Sequence, residues 1–332
     1  MIKDSRILIT GACGSIGASL LDSLLRSGNT VCAFDQSEDG LFNLDQTYNP
    51  KYSEKLRLFM GNVRDKERLT RAIENIDIIF HCAAQKHVFL SEYNPFEVVQ
   101  TNVIGVNNII SCAIEQDVGK VVFTSSDKAV NPSSTMGVSK LFGEKLITAA
   151  NNHVGNSNTI FSSVRFGNVL NTNGSVLKIF KKQLKENSAI TITSKNMSRY
   201  FITMDDAIRL CIYCSENMIG GEVFISKMES FKIIDLAKAL SETKNFKIRI
   251  IGLKPGEKLY EELITDEEAS RTILIDNHYV LMPSTTNMMS EKVQSGYSNY
   301  KGFEKINHAM NSKQNNIDEK KIYDLLKSNE IL

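Results

Sequence analysis

The sequence predicts an α/β protein with a doubly wound parallel sheet and a smaller lobe formed by its C-terminal part. Three observations support this fold class. In the first half, short β-branched runs alternate with longer segments whose apolar residues recur at helical spacing, which is the pattern of βαβ units. A glycine-rich turn, GACGSIG, directly follows the first run and opens the first helix. After about Asn168 the alternation gives way to short mixed elements, so a second structural unit is expected there.

The strands of the sheet are predicted from short apolar runs, because strands covered on both faces by helices are apolar throughout. The runs are RILIT, TVCAFD, LRLFMGN, DIIFHCA, KVVFTSS and FSSVRFGNV. Helices are predicted between them from GASLLDSLLRSG, KERLTRAIENI, VVQTNVIGVNNIISCAIEQ and SKLFGEKLITAANNH. Right-handed crossovers through these helices would cover both faces of one sheet.

The C-terminal part is predicted to add one more helix and strand to the sheet before it forms the smaller lobe. DDAIRLCIYCSENM and GEVFISK are expected to return to the sheet, whereas KIIDLAKALSETK, EKLYEELIT and NNIDEKKIYDLLKSN are predicted helices of the lobe. We therefore assign residues 1–168 and 206–226 to the sheet domain, and residues 169–205 and 227–332 to the lobe. The polar stretch from Ser284 to Lys301 is predicted to be a loop.

Composition and charge exclude several classes of protein. The 332 residues include 39 Lys and Arg against 38 Asp and Glu, so no overall field favours nucleic acid or an anionic membrane as a partner. No apolar run approaches the ~20 residues that span a bilayer, and the N-terminus lacks a secretory signal pattern. A soluble, cytoplasmic protein with reduced cysteines is therefore expected. Cys211 and Cys214 form a C-x-x-C without a second pair, so no metal site is expected.

The turn after the first strand has the spacing of a dinucleotide-binding loop. Gly11 would make the tight turn, Gly14 would let backbone amides approach a pyrophosphate, and Gly17 would let the helix pack on the strand. The residues between them, Cys13, Ser15 and Ile16, are assigned to the same cofactor site. Asp35 ends the second strand, 18 residues after Gly17. A carboxylate there accepts hydrogen bonds from a ribose 2′-hydroxyl and repels a 2′-phosphate, which favours NAD over NADP; an aspartate that only makes a turn is the alternative.

Other residues at the ends of these strands are expected to complete the cofactor site. Parallel strands bring their carboxyl ends to one edge of the sheet, where ligands of such folds bind. This reasoning gives a Rossmann-type cleft to which Asn62, Val63, Ala83 and Ala84 would contribute. Lys86, Asn102 and Lys140, which do not follow from the strand ends, are further candidates for the cofactor site.

The string SSDKAVNPSSTMGVSK, residues 125–140, holds the candidate catalytic residues. Lys140 stands where many dehydrogenases have the lysine of Tyr-x-x-x-Lys, but the tyrosine position holds Met136, which cannot exchange a proton. Ser126, Asp127 and Lys128 supply a hydroxyl, a carboxyl and an amine at the end of a strand. An Asp-Lys pair is often only a solvated ion pair, and a methionine at helical spacing is often a core residue.

Five longer strings carry a resemblance to a known family. They are AAQKHVFLSEYNPFEVVQTNVIG, SSDKAVNPSSTMGVSK, RFGNVLNTNGSVLKIFKKQ, SRYFITMDDA and LKPGEKLYEELI, and they span most of residues 7–265. The chain resembles the extended short-chain dehydrogenase/reductases and, within them, the bacterial nucleotide-sugar 4,6-dehydratases that act on UDP-N-acetylglucosamine. Many of these proteins carry an N-terminal membrane region, and this chain resembles their short, soluble form. Ser126 replaces the usual threonine and keeps its hydroxyl.

The resemblance implies an NAD-dependent reaction without net redox change. The sugar is oxidised at C4, water is eliminated across C5 and C6, and hydride returns to C6. By resemblance, Asp127 protonates the departing C6 oxygen, Lys128 removes the C5 proton, and Ser126 holds the C4 oxygen. Lys140 binds the nicotinamide ribose. Without a tyrosine at Met136, deprotonation of the C4 hydroxyl falls to Asp127.

The resemblance also places substrate-binding residues and leaves alternatives open. The substrate set is Lys86, Ser126, Asn168, Arg199 and Glu257. A nucleotide-sugar 4-epimerase and an inactive NAD-binding regulatory protein are the competing functions. Retention of configuration at C5 is expected, because Lys128 is the only base predicted near C5, and inversion is the alternative. The choice between UDP and GDP sugars stays open. A homo-oligomer is expected through the helices VVQTNVIGVNNIISCAIEQ and SKLFGEKLITAANNH.

Overall fold

The computed structural model describes residues 2–172, 174–186, 188–241, 247–285, 291–300, 302–329 and 331. Its strands are β1 Arg6–Thr10, β2 Thr30–Asp35, β3 Leu56–Met60, β4 Ile78–His81, β5 Lys120–Ser126, β6 Ile160–Phe166, β7 Asn168–Val169, β8 Ile190–Ile192, β9 Ser198–Ile202, β10 Val223–Ser226, β11 Glu229–Lys232, β12 Ile248–Ile250, β13 Glu262–Ile264, β14 Thr272–Ile275, β15 His278–Leu281, β16 Glu304–Lys305 and β17 Met310–Asn311.

The helices alternate with these strands in the first two thirds of the chain. They are α1 Ser15–Arg26, α2 Glu38–Tyr52, α3 Lys66–Ile73, α4 Val88–Tyr93, α5 Pro95–Val99, α6 Gly105–Glu115, α7 Thr135–Ala150, α8 Val176–Lys185, α9 Met204–Asn217, α10 Ile233–Ser241, α11 Asp266–Ala269, α12 Glu291–Gly296 and α13 Glu319–Ser328. A π-helical turn, Gln100–Ile104, joins α5 to α6, and a 3₁₀ turn, Asp127–Ala129, follows β5.

A ten-stranded sheet in the order β16-β14-β15-β10-β6-β5-β4-β1-β2-β3 organises the molecule. The strands from β3 to β10 in this order pair in parallel, and β15, β14 and β16 add an antiparallel edge. Helices α1 and α9 contact each other and contribute to a core on one face, while α3, α6 and α7 pack on the other. The structure thus confirms the predicted doubly wound fold.

The predicted strands and most predicted helices occur where the apolar patterns place them, and the differences have physical causes. Helix α2 was not predicted because its apolar stripe is thin, with only Leu41 and Leu44 buried. The predicted helix over 257–265 is wrong. That segment is extended because β13 pairs with β17, and because the amide of Ser198 donates to the Leu259 carbonyl.

The smaller lobe is built on two short sheets, β11-β9-β7 and β12-β8, and on helices α8, α10 and α13. Assigning all of residues 227–332 to this lobe differs from the structure, because β14, β15 and β16 extend the large sheet instead. The loop predicted for Ser284–Lys301 also differs. Its described residues include α12 and a 3₁₀ turn, Tyr297–Tyr300, whereas 286–290 and 301 lie outside the described residues.

A buried ion network connects α11, which precedes β14, to the large sheet. The Arg165 side chain is 1% exposed and donates to both carboxylate oxygens of Glu144 on α7, at 3.0 and 2.7 Å. It also donates to both oxygens of Glu268 on α11, at 3.0 Å each. Such paired, bidentate contacts satisfy charges that burial would otherwise penalise strongly.

Candidate active site

Two connected cavities open at the carboxyl edge of the parallel strands. The first, about 600 Å³, follows the ends of β1, β2, β4 and β5. The second, about 500 Å³, lies between this edge and the smaller lobe. His87, Lys128 and Asn168 line both cavities. A long ligand that fills both cavities would therefore contact these three residues where the cavities join.

The glycine turn has a shape that only glycine permits at two positions. Gly11 has φ of +69°, and an added Cβ would lie 2.7 Å from the Ala83 amide nitrogen. At Gly17 an added Cβ would lie 2.2 Å from the Gly11 carbonyl oxygen. The backbone of β1, the turn and α1 is therefore packed as closely as a pyrophosphate-binding loop requires.

Asp35 is tied to this loop. One carboxylate oxygen accepts a hydrogen bond from the Cys13 amide at 2.9 Å, and the other accepts one from the Ser37 amide at 3.0 Å. The carboxylate therefore lies at the tip of β2 beside the glycine turn, where the sequence places a ribose-binding acid.

The other predicted cofactor residues are brought together, with one exception. The first cavity is lined by Gly11, Cys13, Gly14, Ser15, Ile16, Gly17, Asp35, Asn62, Val63, Ala83, Ala84, Lys86 and Lys140. Asn102 does not belong to this lining. Its buried amide accepts from the Gln85 amide at 2.8 Å and donates to the Gln85 carbonyl at 3.0 Å and to Ser139 at 2.9 Å. Asn102 thus holds the loop after β4 against α7 from behind.

Ser126, Asp127 and Lys128 form a compact acid–base unit at the end of β5. Asp127 is fully buried, and its Oδ1 accepts from the Ser126 hydroxyl and from Lys128 Nζ, both at 2.9 Å. Among the described residues its Oδ2 has no hydrogen-bond partner. Lys128 Nζ also donates to Asn168 Oδ1 at 3.1 Å. The unit is therefore not the solvated surface ion pair that adjacent Asp and Lys residues often form.

Met136 and Lys140 lie on α7 and line the first cavity. Met136 is 4% exposed and places a thioether where a tyrosine hydroxyl would otherwise stand. Lys140 Nζ donates to the Thr124 carbonyl at 2.8 Å and lies over the Phe123 ring at 4.7 Å. Burial lowers the pKa of Lys140 to about 8, although Cys82 and Glu144 oppose the change.

The predicted substrate residues of the lobe lie on the second cavity. Arg199 on β9 is 6% exposed, and its guanidinium donates to three backbone carbonyls, those of Ser198, Leu259 and Lys258. The lobe backbone therefore fixes its orientation. Glu257 also lines this cavity, and its carboxylate accepts from the Lys254 amide at 3.0 Å.

Glu261 is a site residue that the sequence did not indicate. Its carboxylate is 3% exposed and lies 3.7 Å from Lys128 Nζ, 3.7 Å from Arg199 Nε and 3.7 Å from Lys258 Nζ. Glu261 was not predicted as a site residue because a helix over 257–265 would have placed it on a surface. The one signal was the adjacent pair Glu261-Glu262, which a strand sends to opposite faces.

Within the described ranges, no group of three or more His, Cys, Asp or Glu is arranged to hold a metal ion. Of the helices described there, none combines the length and apolar character that crossing a membrane demands.

A glycine-turn cleft, an Asp-Lys pair after β5 and a lysine of the Tyr-x-x-x-Lys position together define an enzyme of the extended short-chain dehydrogenase/reductase class. The chain belongs to the polysaccharide biosynthesis protein family, which matches residues 7–283. This confirms the family that the sequence motifs indicate.

Similar proteins share nearly the whole length of the chain. A protein of Methanocaldococcus jannaschii named as an uncharacterized membrane protein is 45% identical, covering 85% of this chain and 86% of that protein. The Campylobacter jejuni UDP-N-acetylglucosamine 4,6-dehydratase (inverting) is 39% identical, covering 86% and 84%. A Rickettsia felis protein named UDP-glucose 4-epimerase is 35% identical, covering 84% and 83%. The X-ray structure of Pen from Bacillus thuringiensis matches with a TM-score of 0.91 at 39% identity, covering 99% of both chains.

Proposed function

We propose that the protein is an NAD-dependent UDP-N-acetylglucosamine 4,6-dehydratase. The observation that carries this proposal is the Asp127–Lys128 ion pair, in which Asp127 is buried and Lys128 lines both cavities, with Met136 in place of a tyrosine. An enzyme that eliminates water from a sugar needs an acid and a base side by side, whereas simple dehydrogenation needs only one proton acceptor. The dehydratase name of the Campylobacter jejuni relative supports the same reaction and substrate.

The residues of the first cavity fit NAD. A Cβ at Gly11 or Gly17 would strike backbone atoms, so the bare turn lets α1 pack closely on β1. The first residues of α1, Ser15, Ile16 and Gly17, line the cavity, so the positive end of this helix would face a pyrophosphate. The Asp35 carboxylate, held by the Cys13 amide, would accept the ribose hydroxyls. When bound, NAD supplies the temporary oxidation of C4 by taking a hydride and giving it back at C6.

The proton steps are assigned to the acid–base unit. The Ser126 hydroxyl donates a hydrogen bond to Asp127, and Ser126 lines the first cavity, so it can pass the C4 hydroxyl proton to Asp127. Protonated Asp127 is then the acid that assists departure of the C6 oxygen. Neutral Lys128 is the base for the C5 proton, which the C4 ketone acidifies.

The protonation state of Lys128 controls when this base can act. Burial lowers its pKa, but the attraction of Asp127 and Glu261 outweighs burial and raises the pKa overall. The resting side chain is therefore an ammonium paired with Asp127. Turnover should rise with pH as Lys128 loses this proton, since only the neutral amine accepts the C5 proton.

The second cavity suits the nucleotide part of the substrate. It is lined by Arg199 and Lys258 as cations and by Glu257 as an acceptor. The two N–H groups of the fixed Arg199 guanidinium that do not bond backbone carbonyls, and the Lys258 ammonium, would meet a diphosphate, and Glu257 would meet the ribose or base. Lys86, which lines the first cavity, would contact the substrate where the two cavities join.

A 5-epimerising form of the same reaction is the second candidate, and two observations favour it. Inversion needs a second proton donor on the ring face opposite Lys128, and Lys86 and His87, which line the first cavity, are the candidates for it. In addition, the Campylobacter jejuni relative is named as inverting. A 4-epimerase is the name of the Rickettsia felis relative, but Met136 cannot exchange the C4 proton as a tyrosine would.

Product analysis tests the proposal and separates these outcomes. The protein is incubated with UDP-N-acetylglucosamine in deuterated water without added cofactor, and the product is identified by NMR. A 4-keto-6-deoxy sugar with deuterium at C5 establishes the dehydratase, and the ring couplings distinguish retention from inversion. A C4 epimer would establish the epimerase instead, and unchanged substrate would favour an inactive binding protein. GDP-N-acetylglucosamine serves as the matched control for nucleotide choice.

We also infer that the protein forms a homo-oligomer through the face predicted from the sequence. Within the two predicted helices, Val99, Ile104 and Phe142 are exposed at 41%, 40% and 51%. Just before the first of them, Tyr93 at 85% and Phe96 at 69% are exposed as well. Contiguous apolar surface of this kind is typical of protein interfaces. Light scattering coupled to size exclusion should give a mass above that of one chain, and a Phe96→Glu, Phe142→Glu variant should give that of a monomer.

A further inference from the structure

We propose that Glu261 is a positioning residue for Lys128. Its carboxylate holds the lysine ammonium in the gap between the large sheet and the smaller lobe, and it adds a negative charge beside that ammonium. The inference rests on the proposed dehydratase function only for its consequence on turnover. The contact itself, between the residue that precedes β13 and the candidate base after β5, is independent of the reaction.

The burial and charge of the surroundings carry the proposal. Glu261 belongs to a charge cluster of three cations and two carboxylates, namely Lys128, Arg199, Lys258, Asp127 and Glu261. Glu261 is the member that touches all three cations, at 3.7 Å each. Among the described residues, its Oε2 has no hydrogen-bond partner despite being buried. A buried carboxylate stays ionised only where neighbouring cations compensate its charge.

The geometry also explains how Lys128 stays directed toward the sugar. Asp127 Oδ1, at the end of β5, attracts Nζ at 2.9 Å. Glu261 attracts the same nitrogen from the lobe side. Lys128 is therefore held between the two carboxylates, within reach of Asn168 and of both cavities.

The carboxylate affects the strength of the base as well as its position. An anion near an ammonium favours the charged form and raises the pKa of the lysine. For Lys128 both Asp127 and Glu261 act in this direction, against burial and against the repulsion of Arg199. A stronger amine base removes a proton from carbon more readily, provided that the pH allows it to be neutral.

The test measures the protonation of Lys128 directly, in the full-length protein. Trace acetylation with acetic anhydride at a series of pH values, followed by peptide mass spectrometry, gives the titration midpoint of Lys128 without any turnover. In Glu261→Gln, which keeps size and removes charge, the midpoint should fall by about one pH unit or more. The Glu262→Gln variant is the matched control, because Glu262 contacts Asn131 instead, and its midpoint should equal that of the wild type.

The outcomes separate this proposal from the proposed function. An unchanged Lys128 midpoint in a folded Glu261→Gln protein would overturn the positioning role. If that variant does not fold, Glu261→Asp keeps the charge at a greater distance, and its midpoint should fall by a smaller amount; no fall would again refute the proposal. With UDP-N-acetylglucosamine, the rising limb of the kcat profile should move to lower pH in Glu261→Gln by the same amount as the midpoint. Wild-type protein that makes no 4-keto-6-deoxy sugar would defeat the proposed function while leaving the labelling result intact.

Discussion

Replacing Lys128 by arginine separates its charge from its ability to accept a proton. Arginine keeps a cation between Asp127 and Glu261, but it stays protonated throughout the accessible pH range. Lys128→Met is the complementary change, because it removes both the base and the cation at similar length. The two variants therefore give different patterns of activity and stability.

The expected magnitudes follow from the contacts of Lys128. Loss of a positioned base lowers turnover by about 100- to 10,000-fold, which corresponds to about 3–5 kcal/mol of transition-state stabilisation, and both variants should show it. Lys128→Met also strands Asp127, which is fully buried, and Glu261, which is 3% exposed. Removing one partner of a buried ion pair costs about 3–5 kcal/mol of folding free energy, or roughly 5–10 °C in Tm. Lys128→Arg should keep most of the wild-type Tm.

The assay combines product formation, deuterium exchange at C5 and thermal unfolding. Both variants should still oxidise C4, so reduced nicotinamide should accumulate and be visible in the near-ultraviolet absorbance, while C5 exchange stops. Lys128→Arg with more than a tenth of wild-type turnover would refute the assignment of Lys128 as the base. A Lys128→Met protein with unchanged Tm would show that the two carboxylates do not depend on this ammonium.

Further predictions concern the cofactor cleft and the sheet. Asp35→Ala should narrow the preference for NAD over NADP, measured by titration of each cofactor; NADP bound more tightly than NAD by the wild type would contradict this role. Gly17→Ala should weaken NAD binding severely, because the new Cβ meets the Gly11 carbonyl at 2.2 Å, and calorimetry showing wild-type affinity would oppose the fit. NAD affinity of the unliganded protein should fall as pH rises through about 8, where Lys140 loses its charge, whereas Lys140→Met should show no such dependence. Arg165→Met should lower the folding free energy by about 3–5 kcal/mol, since it leaves Glu144 and Glu268 buried without their partner; equal denaturation midpoints would count against it.

The cofactor half of the site was predictable because its residues follow local patterns. The glycine turn, Asp35 and the strand-end residues lie directly after apolar runs, and parallel strands necessarily bring such ends to one edge. Asp127, Lys128 and Lys140 were found in the same way, through the end of β5 and the spacing of α7. The burial of Asp127 and Lys140 could not be predicted, because it depends on tertiary packing.

The substrate half depends on contacts between distant parts of the chain. Glu261 reaches Lys128 across 133 positions (261 − 128), and helical spacing in EKLYEELIT favoured a surface position for it. The segment is extended because β13 pairs with β17 and because Ser198 and Ser312 bond to its backbone. The antiparallel edge of β14 and β15 was missed for a similar reason, since no apolar pattern says which sheet a late hairpin will join.

Because the chain is synthesised from its N-terminus, the Glu261 contact can form only after the residues of the nucleotide cleft have been made. When β10 has left the ribosome, the nucleotide cleft is complete, but the edge of the sheet is unpaired and Arg165 has only Glu144 as a partner. An open edge of this kind is prone to pair with other chains. Residues 261–281 then bring Glu261 to Lys128, Glu268 to Arg165 and the β14–β15 hairpin to β10. One late stretch of twenty-one residues thus covers the open edge of the sheet and places Glu261 beside Lys128. A chain that ended before this stretch would have the cofactor cleft on an aggregation-prone sheet.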